Sequence, residues 1–118
     1  MSISENAAQL RQTGAEAESN IRGAISEAAN GIQSISQQLQ QARETAENST
    51  NVAAQVLGED HPATTEIVGA ASHVLEEVER VRGLLSQLEL ELDSVSNAGG
   101  TLNSVFEQVA NQLMGGGS

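Results

Sequence analysis

Apolar residues recur along the first half of the chain in alternating steps of four and three: Ile3, Ala7, Leu10, Gly14, Ala17, Ile21, Ile25, Ala28, Ile32, Ile35, Leu39, Ala42, Ala46, Ser49, Ala53 and Val56. Gly14 and Ser49 are the only members that are not aliphatic. Such a repeat keeps one stripe of a helix apolar over its whole length. One double step of four, from Ile21 to Ile25, is a stutter that relaxes a left-handed supercoil. With Gly23, Asn30 and Gly31 close by, it predicts a kink or break near Asn30-Gly31. Ser2 and, three residues on, Glu5 form a capping-box pattern at the start.

The same walk from Ile67 gives Ala71, Val74, Val78, Val81, Leu85, Leu88, Leu92, Val95, Gly99, Leu102, Phe106, Val109 and Leu113, with no slip of phase. Asn97-Ala98-Gly99-Gly100-Thr101 interrupts the helix propensity but keeps the phase. Two glycines cost roughly 2 kcal/mol relative to alanine. A kink, or a short break with Thr101 capping the restart, is expected there. Leu85 and Leu88 fall mid-seam and are expected in the core.

Leu57-Gly58-Glu59-Asp60-His61-Pro62 separates the two walks. Gly58 suits the left-handed residue that ends a helix, and Pro62 the first turn of the next. Asp60 and His61 fill the capping region, where a residue before proline avoids the helical conformation. So short a connection makes the helices antiparallel neighbours. The expected fold is all-α: a long, coiled-coil-like antiparallel helical hairpin. Helix 1 covers about 3–57, the turn 58–62 and helix 2 about 63–114, as a single domain over 1–114 with a flexible tail at 115–118.

The second helix carries more apolar surface than one neighbour covers. With Ala71 at heptad position a and Ile67 and Val74 at d, position e adds Val68 and Leu75, and g adds Ala70, Leu84, Ala98 and Val105. A two-stranded coil normally places charge at e and g. Val68, Leu75, Leu84 and Val105 are therefore the candidate interface, completing a four-helix bundle with a protein partner, as a homodimer or as a heterodimer with a similar hairpin. Leu90 falls on the outer face.

Charge shapes that expectation. From residue 58 onward there are ten acids against two arginines, and before it six against three, for a net charge of −11. Two copies of the second helix side by side repel, so the first helix is the better surface for a partner. A surface this acidic argues against nucleic acid. No apolar run reaches the roughly 18 residues that suggest a membrane span, so membrane insertion is not expected.

The composition removes most chemistry. The chain has no cysteine and no lysine, which excludes thiolate nucleophiles, Cys-based zinc sites, Schiff bases and P-loops. His61 and His73 are the only histidines, and Ala70 stands where a Glu-x-x-His di-metal motif needs glutamate. No nucleophile elbow is present. The expectation is a protein that is not an enzyme, with no catalytic residue, metal or cofactor. No ordinary signal peptide is recognised at the start, so the expected location is the cytoplasm, or outside the cell by another route.

The Gly58–Pro62 turn, followed by the acidic aliphatic run Val74-Leu75-Glu76-Glu77-Val78, resembles the WXG superfamily of type VII (ESX) secretion proteins. It is also similar to the helical leader domains of actinobacterial polymorphic toxins. The resemblance covers essentially the whole chain and is one of architecture. The chain has neither Trp nor Tyr, hence neither a Trp-x-Gly turn nor a Tyr-based export motif. The resemblance implies a helical adaptor or export module that pairs with another hairpin.

Overall fold

A computed structural model describes residues 2–115. They form two helices, α1 (Ile3–Leu57) and α2 (Pro62–Met114), and no strand occurs among the described residues. This is the expected helical hairpin. Pro62 belongs to α2 rather than to the turn, because its fixed φ and missing N–H suit a first helical residue. The tail expected at 115–118 lies outside the described residues apart from Gly115, whose N–H closes a last turn on the Asn111 carbonyl at 2.8 Å.

Local chemistry sets the helix ends. The Ser2 hydroxyl accepts the Glu5 N–H at 3.1 Å, capping α1. Gly58 has φ of 90°, a conformation that a side chain disfavours, and its N–H reaches the Ala54 carbonyl at 3.0 Å. Four groups then tie the turn together. The Ala63 N–H donates to His61 Nδ1 at 3.0 Å, and the Thr64 N–H to the His61 carbonyl at 3.0 Å. The Thr64 hydroxyl donates to the Gly58 carbonyl at 2.7 Å and lies within 3.5 Å of the Ala53 carbonyl. Thr64 is only 4% exposed, so this small polar group is the plug under the turn.

Neither glycine site interrupts a helix. α1 runs unbroken through Asn30-Gly31, and α2 through Gly99-Gly100. Thr101 caps nothing; its hydroxyl donates to the Asn97 carbonyl, one turn back in the same helix. The expectation of a break at Gly99 fails because packing outweighs propensity. A Cβ on Gly99 would sit 3.0 Å from Ile21 Cγ2, so the missing side chain lets the helices approach there.

The chain divides into two compact units, each holding a stretch of both helices. Unit 2 is Gly31–Leu88 and contains the turn; unit 1 combines Met1–Asn30 with Glu89–Ser118. Contacts show antiparallel pairing in each. In unit 1 Gly14 faces Phe106, Glu18 faces Asn103 and Ile21 faces Gly99. In unit 2 Arg43 faces Glu79 and Ala53 faces Thr64.

The cores are thin. Ala7, Gly14 and Ala110 are buried in unit 1, and Ile32, Ala46, Ala53, Ala71, Val78 and Leu85 in unit 2. On α2 the buried residues recur every seven, from Thr64 through Ala71 and Val78 to Leu85. These are a positions. Most d positions behave otherwise: Val74 is 42% and Leu88 45% exposed, whereas Leu85 is 9%; Val81, also at d, is half-buried. Leu88 is thus not the core residue that its place in the repeat suggests.

Candidate functional site

Toward both ends of α2 the seam between the helices is centred on a and e; midway, Val81 at d is half-buried while Arg82 and Glu89 at e are exposed. On α2, the e residues Val68, Leu75 and Asn103 are half-buried, and Ala110 is fully buried. Asn103 donates to Glu18 Oε2 across the helices at 3.2 Å. An α-helix of 3.6 residues per turn buries a stripe broader than a coiled-coil seam. Toward those ends the stripe is rotated by one heptad position, which moves the uncovered apolar surface to d and g.

The four expected interface residues consequently divide. Val68 and Leu75 are half-buried. Leu84 and Val105 are exposed, as expected of interface residues. Sequence reasoning missed that d residues are exposed too: Ile67, Val74 and Leu88 in unit 2, and Val95, Leu102 and Val109 in unit 1. The signal was present in the polar residues. Asn103 falls at e on α2, an odd choice for an outer contact and a sensible one for a bridge to Glu18.

In unit 2 the free surface is concave. Ala42, Thr45, Ala46 and Ser49 of α1 and Ile67, Ala70, Ala71 and Val74 of α2 line an open groove of about 480 Å³. A second hollow of about 570 Å³ adjoins it at Ser49 and Ile67, and is further lined by Asn48, Val52, Ala53, Val56 and Leu57. None of these residues is charged. Small residues on α1 let a further helix approach closely, while Ile67 and Val74 form an aliphatic wall.

The other edge of the helix pair in unit 2 is polar. Arg43 ion-pairs with Glu47 at 3.4 Å and across the helices with Glu79 at 3.5 Å, and Arg82 joins Glu79 at 3.6 Å. Unit 1 has a comparable laced edge, where Arg11 donates to Asn111 Oδ1 at 2.7 Å and Asn103 to Glu18. Exposed pairs of this kind stabilise little. What they decide is which edge of each pair presents apolar surface.

On α2, Arg80 holds Glu77 with a 2.6 Å bond. That hydrogen bond, then the guanidinium charge and the more distant His73, keep the Glu77 carboxyl below the usual carboxylate range against a small opposing effect of desolvation. The turn residues Gly58, Asp60, His61 and Pro62 shape the chain reversal and converge on no reactive group. Among the described residues no three His, Asp or Glu side chains gather where a metal could bind. No described helix is long and apolar enough to cross a membrane. No protein-family model, curated protein or solved structure matches the chain.

Proposed function

We infer that this chain is a non-enzymatic interaction protein: a helical hairpin that pairs through its apolar groove with itself or with a similar hairpin, completing a four-helix bundle. The observation that carries the reading is the open groove between Ala42–Ser49 and Ile67–Val74, free of charge and backed by exposed aliphatic d residues.

Area supports it. The chain exposes 8180 Å², against about 6,100 Å² for a folded monomer of its 12.3 kDa mass. The excess of about 2,000 Å² on one chain is more than the roughly 800 Å² that each partner buries in a standard protein–protein interface. Among the described residues no large side chain is fully buried, so a partner would supply the thick core that two helices lack.

The architecture suggests a setting as well. As a WXG-like hairpin, the protein would act beside type VII secretion, in the cytoplasm or exported with its partner. The exposed Leu102, Val105 and Val109 of unit 1 favour a second reading, a structural protein that assembles through more than one apolar surface into a larger scaffold.

Sedimentation at 0.5 M salt, where charge repulsion is screened, tests pairing. A discrete dimer that Val74→Glu dissociates would support self-pairing. Species that grow steadily with concentration would favour the scaffold. A monomer at 100 μM would overturn self-pairing.

A further inference from the structure

We propose that the unit 2 groove receives a cationic amphipathic helix of another protein: an aliphatic ridge flanked by Lys or Arg. This rests on the reading of the groove as a pairing surface and names the chemistry of the partner.

The groove floor is uncharged, but its surroundings are not. Glu66 adjoins Ile67 on the wall, and Glu59 and Asp60 follow Leu57 at the end of the second hollow. None of these three carboxylates has an ion-pair partner among the described residues. Along α1, Gln41 and Asn48 are neutral, while Glu44 adjoins Thr45 and adds a further carboxylate. An apolar floor with an unanswered acidic rim matches an apolar ridge with basic flanks.

A second copy supplies the ridge but not the flanks. The chain has no lysine. Each of its five arginines already has a partner within the chain: Arg11 with Asn111, Arg22 with Glu18, Arg43 with Glu47 and Glu79, Arg80 with Glu77 and Arg82 with Glu79. Self-pairing would bring together two chains of net charge −11 and could set against Glu59, Asp60 and Glu66 only arginines, four of which already sit in ion pairs. Charge of this kind selects partners and speeds encounter more than it adds affinity.

The test uses designed helical peptides of about 18 residues, roughly 27 Å long, sharing one Leu/Ala ridge and differing only in Lys, Gln or Glu flanks. Each is titrated into the full chain by fluorescence anisotropy. At 20 mM salt the Lys peptide should bind at least about tenfold more tightly than the Glu peptide, with the Gln peptide between. At 0.5 M salt the spread should narrow to about threefold, as screening predicts. Glu59→Gln, Asp60→Asn and Glu66→Gln together should weaken the Lys peptide several-fold and leave the Gln peptide unchanged.

Equal binding of all three peptides overturns the cationic assignment and leaves the groove as a pairing surface. Binding of none overturns both. A scrambled Lys peptide that binds as well as the patterned one shows plain charge attraction and overturns the docking of a ridge. A chain that is already a discrete dimer at 20 mM salt identifies a second copy as the occupant and overturns the proposal.

Discussion

Gly14 of α1 lies directly against Phe106 of α2: a Cβ built on Gly14 would come within 2.7 Å of both Phe106 Cβ and Asn103 Oδ1. The one aromatic side chain of the protein is accommodated at a seam position that gives up its side chain. The pairing explains why a glycine interrupts an otherwise aliphatic walk without interrupting the helix.

That contact makes glycine substitutions diverge. Gly23→Ala and Gly31→Ala place the new methyl in open space and should each stabilise by up to about 1 kcal/mol through helix propensity. Gly14→Ala gains the same propensity but overpacks a tight contact, at a cost of about 1–3 kcal/mol, and should be neutral to destabilising. Adding Phe106→Ala keeps the Cβ, and Asn103 Oδ1 stays, so both 2.7 Å approaches persist and the double variant should lose about as much as the two single losses combined. Urea unfolding of the four variants reads this directly.

The turn depends on Thr64. Thr64→Val keeps the volume and removes the donor to the Gly58 carbonyl, and should cost about 1–2 kcal/mol in urea unfolding. Gly58→Ala forces a side chain into φ of 90° and should cost about 1–2 kcal/mol. Wild-type stability in both variants would mean that the turn is held by other groups.

Glu77 provides a check on pH. Arg80 depresses its carboxyl pKa, so the folded state binds that proton less readily than the unfolded one. The pair therefore contributes stability above the ordinary glutamate range, and that contribution disappears as pH falls through the lowered value. In an NMR titration, Arg80→Gln should return the Glu77 midpoint to the usual glutamate range. An unchanged midpoint would remove Arg80 as its cause.

How much of this was legible in the sequence depended on the kind of signal. Gly58 and Pro62 marked the reversal because each acts through its own backbone, and the hairpin followed from two apolar walks of matching length. The continuity at Gly99 was hidden because it depends on Ile21, distant in sequence. Of the candidate surface, Leu84 and Val105 are exposed and Val68 and Leu75 half-buried. An a/d repeat fixes the period of a helix but not its rotation. The rotation is set by which flank carries cross-helix polar partners, such as Glu18 with Asn103, and a single chain does not announce those pairs.

The open face between a-position Val78 and d-position Val74 is the central claim, and the same substitution at both tests it most directly. The two valines are successive members of one walk, yet Val78 is 5% and Val74 42% exposed. In urea unfolding at low salt and micromolar concentration, Val78→Ser should cost about 2–4 kcal/mol, since it cuts a cavity and buries a hydroxyl. Val74→Ser should cost under about 1 kcal/mol. Equal costs at the two positions would place Val74 inside the hairpin's own seam and leave no open groove for a partner.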